Sequence, residues 1–417
     1  ANIVLYATKP TGTLTNAYGF FSVNANEGTY KMSVSFTGYV TDTTTILIDK
    51  NQHLIIGLQS KAEQLKTVTV SSNRRTDNIA KAIMGGDKLN LTEVNKIPVL
   101  LGEKDVLKMI QLMPGYKSAG EGNSGFNVRG GGTEQNLILL DEAPVYNASH
   151  LFGFFSTFNS DAIKDVIVYK GGMPAQYGGR LSSVVDIRMK EGNQKKLDLE
   201  GGLGVIASRL KVSAPIVKDK GSFIISARRT YADVFMGLIK DTGQGKRSLY
   251  FYDINLKANY KISKKDRIFL SGYFGRDELV LSNQFSTDWG NKTATLRWNH
   301  VFGNSLFSNT SLIFSNFDYK VRVKSGNDQF RIFSKIEDLN FKQDFDWNIS
   351  NKSKLKLGGN IIKHTIAPGT VTVATNTGGI AKPVQNRFSI ECALYASHEF
   401  KATDKLEIIY GVRVSSL

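Results

Sequence analysis

The chain has 417 residues, with 39 glycines, 8 prolines and 10% aromatic residues, a composition typical of a folded, β-rich protein of two or three domains and not of a disordered chain. The net charge of +16, from 53 Lys+Arg against 37 Asp+Glu, makes nucleic acid the first partner to test. The basic residues are scattered or lie in turn-like clusters, with no basic stripe interleaved with aromatics, so we predict no nucleic-acid partner; anionic lipid head groups explain the excess better.

Residues 1–60 predict a small β-sandwich that is incomplete at its N-terminus. The segment Gly28–Phe36 alternates cleanly between apolar and polar residues. Two further β-prone segments follow at Thr44–Asp49 and His53–Leu58, and short strands at this spacing are typical of a sandwich. The chain starts inside a strand, without Met or a signal peptide, so we expect either a cleaved signal or a start partway through this domain.

Residues 61–87 predict a polar linker. Its one β-prone run is Thr67–Val70. Because an isolated strand is not stable in water, this run either completes the sheet of the first domain or adds to the sheet edge of another protein, where backbone hydrogen bonds supply the affinity. The residues alone leave both possibilities open.

Residues 88–195 predict a glycine-rich α+β unit. The segment Glu103–Met113 has its apolar residues at helical spacing, and Pro114 ends the helix. Strands are predicted at Phe126–Arg129, Leu137–Leu140, Ile163–Tyr169 and Val184–Met189. A compact unit of this kind, placed before a long amphipathic β array, indicates a plug inside a membrane barrel.

Residues 196–417 alternate between apolar and polar residues in strands of about ten residues or more, roughly the length that crosses a bilayer at a tilt. Short polar turns are predicted at 218–221, 263–266, 303–305, 351–353 and 402–405, and longer loops at 232–248, 277–291, 320–328 and 365–386. Short turns on one side and long loops on the other are typical of outer-membrane barrels. We therefore predict part of an antiparallel transmembrane β-barrel.

A soluble sandwich is the alternative for this array, with its apolar faces packed inward. Soluble strands average only about 5–6 residues, however. The mean hydropathy of -0.20 fits a barrel, because barrel strands are apolar on one face only. No run of 18 apolar residues exists, so no transmembrane helix is predicted. We count about eleven strands, whereas a barrel that encloses a folded domain needs about 22, so we expect the chain to be part of a longer protein.

The residues predict no enzyme, no catalytic residue, no metal site and no cofactor. The five histidines are dispersed, and the sequence contains no HExxH, GxSxG or Walker A motif. Cys392 is the single cysteine, which allows neither an internal disulfide nor a cysteine-based metal site.

Two segments resemble known families. Residues 12–39, from the glycine-containing turn to the Gly38-Tyr39 pair, resemble the carboxypeptidase-regulatory-like domain of the transthyretin type. Residues 127–184 resemble the plug of TonB-dependent outer-membrane receptors. The residues that carry this second resemblance are Val128, Arg129, Gly130, Asp141, Glu142, Lys170, Gly171, Tyr177, Gly178, Gly179 and Arg180.

The combination of these domains resembles the Bacteroidota type of receptor, which includes SusC-like proteins. SusC-like plugs usually read V-D-G-V-P and Y-G-S-R, whereas this chain has Leu140-Asp141-Glu142-Ala143-Pro144 and Tyr177-Gly178-Gly179-Arg180. The difference favours a sister branch of the superfamily over a glycan receptor.

The resemblance implies active uptake of a large or scarce nutrient by an integral multi-pass β-barrel in the outer membrane of a Gram-negative bacterium. The residues Thr67, Val68, Thr69, Val70 and Ser71 resemble a TonB box. This implies strand addition to TonB, which acts with its inner-membrane energising complex. Further partners implied are a surface lipoprotein lid, membrane lipid and lipopolysaccharide.

The resemblance also implies plug–barrel ion pairs that involve Arg129, Arg180, Glu142 and Asp186. A TonB-linked signalling receptor is one alternative function. A passive outer-membrane pore or an adhesion protein is another, and either would work without the proton gradient.

Overall fold

The computed structural model describes residues 1–7, 10–36, 38–59, 86–89, 105–120, 124–237, 247–326, 328–374, 384–403 and 406–417. These residues form three units, which we call the front domain (1–59), the plug (86–195) and the barrel sheet (196–417).

The front domain is one four-stranded antiparallel sheet in the order β2-β1-β3-β4. Its strands are β1 (Asn2–Tyr6), β2 (Thr11–Leu14), β3 (Gly28–Ser35) and β4 (Asp42–Ile48). Alternation in β1 and β3 places Ile3, Leu5, Met32 and Val34 in a small core. Chain outside the strands, including Phe21, Ile56 and Leu58, packs against this core. The predicted strand at His53–Leu58 is extended chain without a strand partner.

In its described residues, the plug contains one α-helix, two short 3-10 helices and nine short strands. The α-helix and the strands are α1 (Val106–Gln111), β5 (Gly86–Leu89), β6 (Tyr116–Ser118), β7 (Phe126–Val128), β8 (Asn136–Leu140), β9 (Ala143–Pro144), β10 (Ser149–His150), β11 (Phe155–Ser156), β12 (Ile163–Tyr169) and β13 (Ser183–Met189). The main sheet has the order β5-β12-β13-β8-β9, and its β8–β13 pair is parallel. The helix and the four strands predicted from the sequence are present.

Helix α1 packs its apolar face on this sheet. Asp105 caps its N-terminus, because one carboxylate oxygen accepts the backbone N–H of Leu107 at 2.9 Å and of Lys108 at 3.1 Å. The second oxygen accepts the N–H of Ser156 at 2.8 Å, which ties the helix to the next layer of the plug. The shared core consists of Val106, Leu107, Ile110, Val166, Val168, Val185 and Ile187 with their neighbours.

The barrel sheet has eleven antiparallel strands, each hydrogen-bonded to the next in chain order. They are β14 (Asp198–Leu203), β15 (Ala207–Val217), β16 (Gly221–Thr230), β17 (Ser248–Lys261), β18 (Asp266–Ser282), β19 (Phe285–Val301), β20 (Leu306–Ser325), β21 (Asp328–Ser350), β22 (Ser353–Ala374), β23 (Arg387–Lys401) and β24 (Glu407–Ser416). A short helix α2 (Ala232–Gly237) follows β16.

This sheet buries polar side chains and exposes apolar ones. In β19, Thr295 and Arg297 are 2% and 6% exposed, whereas the alternate residues Leu296 and Trp298 are 51% and 45% exposed. A sheet in water does the reverse, since leucine is normally buried and arginine exposed. The pattern is that of a membrane barrel wall whose apolar face meets lipid and whose polar face meets the plug. In the part of the chain that the structure describes, no helix is long and apolar enough to cross a membrane.

The strands extend further than the sequence predicts. Strands β20 and β21 have 20 and 23 residues, and 20 residues span roughly 65 Å. The predicted long loops at 277–291 and 320–328 are wrong, because most of these residues belong to strands. Beyond the bilayer the backbone ladder continues, but the side chains no longer need an apolar face. The alternation from which we predicted the strands therefore stops before the strands do.

The connections of the barrel sheet define two ends. At the turn end, β15, β17, β19, β21 and β23 each lead into the following strand; at the loop end, β14, β16, β18, β20 and β22 do so. The front domain contacts the turn end, where Asn24 and Asn351 exchange hydrogen bonds of 2.8 and 2.6 Å. Phe152 of the plug lies toward the loop end, 4.6 Å from Trp289 between ring centroids. The plug therefore runs along the inner face of the sheet.

Replacing an exposed apolar residue of the barrel sheet by a charged one tests whether the apolar face of the sheet meets lipid. We expect Leu296→Arg to lower the free energy of unfolding in lipid vesicles by about 2–4 kcal/mol, the usual cost of arginine facing the bilayer midplane. Urea titration of the intact protein measures the change. Leu47→Arg is the matched control, because Leu47 is 60% exposed on the front domain and the change there stays within about 0.5 kcal/mol. Equal effects at the two positions would contradict a lipid-facing Leu296.

Candidate plug–barrel interface

The plug carries a strained turn at Asp141 and Glu142. Leu140 pairs with Ala143, so these two residues alone connect β8 to β9. Both have positive φ angles, 45° and 76°, which is the geometry of a type I′ hairpin. Glutamate is unfavourable in this region, at a cost on the order of 1–3 kcal/mol. The surrounding structure has to hold it there.

Cations of the barrel sheet contact both carboxylates of this turn. The Nζ of Lys257 lies 2.9 Å from Asp141 Oδ2, and the Nε of Arg297 lies 2.9 Å from Glu142 Oε1. The Nζ of Lys342 lies 3.8 Å from Glu142 Oε2. Each of these side chains is at most 15% exposed. Removing one partner of a buried ion pair leaves the other charge buried and unpaired, at a cost of about 3–5 kcal/mol. This turn is therefore an electrostatic attachment between plug and barrel.

The pKa of Glu142 reflects this surrounding charge. Burial by itself raises the pKa of a carboxyl group, but Arg297 and Lys342 outweigh it and lower the pKa of Glu142 from 4.5 to about 2. The pKa of Asp141 is lowered for the same reason, since Lys257 and Arg297 oppose the effect of burial. Both carboxylates are therefore ionised at neutral pH.

A turn of the front domain reaches the same carboxylate. We call the segment Asn16–Phe20 the front turn. The hydroxyl of Tyr18 donates to Glu142 Oε1 at 2.6 Å, and the Tyr18 ring stacks on Phe307 with 5.6 Å between centroids. The guanidinium of Arg297 lies 5.0 Å from the same ring. Glu142 is therefore the residue at which all three units meet.

Two further contacts fix the front turn at the turn end. The side-chain amide of Asn16 donates to Asp346 Oδ2 at 2.7 Å, and Phe20 stacks on Phe307 at 5.3 Å. A cavity of ≈ 1170 Å³ lies between the front domain, the plug and the barrel sheet, and Glu142 and Arg297 are among its lining residues. The front domain thus bounds the space under the plug at the turn end.

A second attachment lies nearer the loop end. The Nδ1 of His150 lies 2.7 Å from Asp277 Oδ2, and its ring stacks on Phe251 at 4.1 Å between centroids. The backbone N–H of Leu151 donates to the other oxygen of Asp277 at 2.8 Å. Leu151 and Phe152 have positive φ angles of 49° and 59°, so this loop is also strained where it contacts the barrel. Burial lowers the pKa of His150, but Asp277 and Asp253 outweigh it and the net pKa is raised.

Most of the predicted plug-motif residues form contacts inside the plug. Val128 is in the core, and Lys170 pairs with Asp87 of β5 at 2.7 Å. The hydroxyl of Tyr177 donates to Asp186 at 3.0 Å. Asp186 also pairs with Arg188 at 2.8 Å, so its ion pair is internal to the plug and not with the barrel as predicted.

The glycines of the motif allow close approaches. A Cβ on Gly171 would lie 2.6 Å from the Arg129 guanidinium, and a Cβ on Gly178 would lie 2.4 Å from Arg413 of β24. Gly130 and Gly179 have φ angles of +86° and +79°, which favour glycine.

Of the four charges predicted to join plug and barrel, only Glu142 does so among the described residues. Arg129 lies over Gly171, and Arg180 donates to the carbonyl of its neighbour Gly179 at 2.8 Å. The barrel partners Lys257 and Arg297 occupy inward positions of predicted strands. In the sequence, these two residues differ from other basic residues only in that they occupy polar positions of strands that alternate between apolar and polar residues.

The TonB-box-like residues Thr67, Val68, Thr69, Val70 and Ser71 lie outside the described residues. Within the described ranges, no group of three or more His, Cys, Asp or Glu side chains is placed to hold a metal ion.

Two family models match the sequence. Residues 98–185 match the TonB-dependent Receptor Plug Domain. The chain contains a TonB-dependent receptor plug. Residues 1–70 match the CarboxypepD_reg-like domain, which confirms the resemblance of residues 12–39 to a carboxypeptidase-regulatory-like domain. No curated protein matches the chain.

Solved TonB-dependent receptors share the fold of the plug and barrel sheet. A mutant of the ferric enterobactin receptor PfeA of Pseudomonas aeruginosa aligns with a TM-score of 0.60 and 14% identity, over 84% of this chain and 59% of that one. The siderophore receptor PirA of Acinetobacter baumannii gives 0.57 and 15%, over 84% and 58%. The copper transporter OprC gives 0.58 and 12%, over 79% and 55%. The chain therefore spans about three fifths of the length of these receptors, and the predicted mainly-β architecture with a partial barrel is confirmed.

The lowered pKa of Glu142 predicts how the plug attachment responds to acid. Because the folded pKa of about 2 is below the unfolded value of 4.5, the attachment stabilises the plug fully above pH 4.5. This stabilisation is lost as the pH falls toward 2. We expect the thermal unfolding temperature of the intact receptor to fall over this window, and less steeply in Glu142→Gln. Identical pH profiles for the two proteins would contradict the attachment.

Removing the Tyr18 hydroxyl should loosen the front turn. The backbone N–H groups of Tyr18 and Phe20 both donate to Asn16 Oδ1, at 2.9 and 3.0 Å, so their hydrogen exchange reports opening of the turn. A hydrogen bond to a charged group contributes about 1.5–3 kcal/mol. We therefore expect Tyr18→Phe to speed this exchange about tenfold or more. Tyr30→Phe is the control, since the Tyr30 hydroxyl bonds within the front domain, to the carbonyl of Asn26, and it should leave the exchange unchanged.

Proposed function

We propose that this protein is a TonB-dependent transporter that takes up a large or scarce nutrient across the outer membrane. The observation that carries the proposal is a plug domain seated on the polar face of a sheet whose opposite face is apolar. A passive pore needs no folded domain across its lumen, and the buried ion pairs at Asp141 and Glu142 hold this one in place. An energy input is then required to move it.

The substrate binds at the loop end and leaves at the turn end. TonB pairs with residues 67–71 in the linker, and the pull reaches the plug first at β5. Among the described residues this strand lies at the edge of the plug sheet, where it pairs with β12 over the four positions from Gly86 to Leu89. An edge strand can be peeled one residue pair at a time, which needs less force than shearing a whole sheet.

Lys170 clamps this first strand. Its Nζ pairs with Asp87 at 2.7 Å and donates to the carbonyl of Pro114 at 3.1 Å. The lysine of the plug motif therefore resists the first step of the pull and releases β5 only under load. The front domain lies on the other side of the linker, so the same pull also loads the Tyr18–Glu142 contact.

The proposal names the class of the cargo, a large or scarce nutrient, and not the compound. Solved receptors of similar fold include siderophore receptors and a copper transporter, which supports uptake of a scarce nutrient. The Leu140–Pro144 and Tyr177–Arg180 segments support a branch of the Bacteroidota type that is a sister to the SusC-like proteins. Partners proposed with this function are TonB with its inner-membrane complex, a surface lipoprotein lid, membrane lipid and lipopolysaccharide.

Deleting residues 65–72 should abolish uptake and leave substrate binding unchanged. A sharper form replaces one residue: Val68→Pro removes the backbone N–H that strand addition requires, whereas Val68→Ile keeps it. We expect proton-gradient-dependent uptake in cells to be lost in the proline variant and retained in the isoleucine variant.

Surface binding of the cargo by the same cells is the internal control and should be equal in both variants. Unchanged uptake in the deletion would refute the assignment of this segment, and uptake that persists after the proton gradient is dissipated would favour a passive pore.

A further inference from the structure

The front domain contacts both edges of the main plug sheet. At one edge, the hydroxyl of Tyr18 donates to Glu142, which lies between β8 and β9. At the other edge, the Nζ of Lys88 in β5 lies 4.4 Å from the centre of the Phe36 ring. Because β5 and β9 are the outermost strands of this sheet among the described residues, the front domain braces the plug sheet from edge to edge.

The front domain is attached to the barrel sheet through its surface. The side chain of Asn16, the backbone of Asn24 and the ring of Phe20 make contacts there. In the described part of the chain, the core cluster of the front domain contains residues of that domain alone. Water can replace the hydrogen bonds of such an attachment, so the front domain can leave the barrel without unfolding.

The docked front domain lies in the path of the cargo. We call the cavity of ≈ 1170 Å³ between the front domain, the plug and the barrel sheet the chamber. Tyr18, Phe21 and His53 line it from the front domain, and Lys164 and Arg188 line it from the plug. Cargo that passes the plug toward the turn end enters this chamber and meets the front domain.

The linker between the front domain and the plug starts and ends at neighbouring points. The backbone N–H of Val40 donates to the carbonyl of Gln59 at 2.8 Å, and that of Tyr39 donates to the carbonyl of Phe36 at 3.1 Å. Since Lys88 lies over the ring of Phe36, β5 lies close to the residue at which the linker leaves the front domain. A pull on the linker therefore loads two arms that start from about the same place.

The two arms differ in length. Val68 is nine positions beyond Gln59 but eighteen positions before Gly86. A chain extends by at most ~3.6 Å per residue, so the arms reach no further than ~32 Å and ~65 Å. The shorter arm becomes taut first, whatever conformation the linker has. It acts on the front domain as a whole, because Ile56 and Leu58 pack against the core of that domain.

We propose that the front domain is the exit gate of this receptor and the first element that a pull on residues 67–71 dislodges. The inference rests on the proposed function for the pull itself. Release of the gate removes the Tyr18 and Phe36 contacts from the two edges of the plug sheet and opens the turn end of the chamber. The load then passes to the longer arm and to β5, so the exit opens before the plug does.

Mechanical pulling on the intact protein tests the order of loading. The protein is held in a nanodisc fixed to a surface, and a DNA handle is attached through an azide-bearing residue in place of Val68. Under a rising force in magnetic tweezers we expect two events. The first lengthens the tether by on the order of 30 Å, the difference between the two arms. The second, at higher force, is the loss of β5 from the plug sheet.

A reversible crosslink identifies the first event. N24C/N351C, in a Cys392→Ser background, replaces two exposed residues that bond to each other across the front domain and the barrel. A bis-methanethiosulfonate reagent with a short spacer closes the link. We expect the first event to disappear while the link is closed and to return after reduction. The control K31C/T45C links neighbouring strands inside the front domain, and it should keep the first event.

Access to the chamber tests the gate itself. In the Cys392→Ser background, Lys164→Cys places a thiol on the chamber wall, and its reaction with a long poly(ethylene glycol) maleimide is compared with that of N-ethylmaleimide. We expect Y18A/F20A to raise this ratio several-fold. The control Y6A/L47A truncates side chains that are 49% and 60% exposed, and it should leave the ratio unchanged. Equal hydrogen exchange in β3 of both variants shows that the front domain stays folded.

Three results would overturn the inference. They are loss of β5 as the first event, a first event that survives the closed N24C/N351C link, and equal access to the chamber with the native and the Y18A/F20A front turn. These readouts need neither TonB nor cargo, so each of the three leaves the proposed function standing. Failure of the protein to insert into nanodiscs would overturn the proposed function, and this inference with it.

Discussion

A sheet that separates lipid from a folded domain must satisfy two conditions at once. Every backbone N–H and C=O group needs a partner within the sheet, because hydrocarbon offers none. The side chains must then alternate, with apolar groups on one face and polar groups on the other. Leu296 and Arg297 illustrate both conditions, since they are neighbours in one strand with opposite surroundings. The seat of the plug, the polarity of the interface and the membrane placement all depend on this alternation.

The polar inner face of the barrel sheet gives the plug–barrel interface a large polar component. An apolar plug–barrel interface would bury hydrophobic surface and gain stability in proportion to its area. Here the two surfaces meet through buried hydrogen bonds and ion pairs, such as Asp141 with Lys257, together with aromatic contacts such as His150 with Phe251. The hydrogen bonds among these contacts break when the partners separate by a few ångströms, and water can replace them. The attachment is therefore firm at rest and breaks over a short distance.

Glu142 makes polar contacts with both the barrel sheet and the front domain. Its backbone is held at an unfavourable φ of 76°, and its carboxylate contacts Arg297 of the barrel and Tyr18 of the front domain. A displacement of the front turn changes the hydrogen bonding of the plug turn directly, without a conformational change passing through the plug core.

The sequence predicted the barrel strands because alternation is a local property. Each strand could be recognised from a dozen residues, and the helix at Val106–Gln111 from its apolar spacing and the proline that follows it. The prediction was wrong at the ends of the long strands, at 277–291 and 320–328. Backbone hydrogen bonds between neighbouring strands continue there, although the side chains no longer alternate between apolar and polar. The motif arginines Arg129 and Arg180 were expected at the barrel and lie elsewhere, since a motif records which residues recur and not what they contact.

The sequence by itself determined the three units, the class of fold and the polar and apolar faces of the barrel strands. These follow from periodicity and turn residues within short segments. Only the tertiary structure decided that Lys257 and Arg297, 40 positions apart, converge on one plug turn, and that Tyr18 reaches it from the front domain. The physical reason is that curvature of the sheet and seating of the plug bring together residues far apart in the chain. Their distances depend on the packing of all three units together.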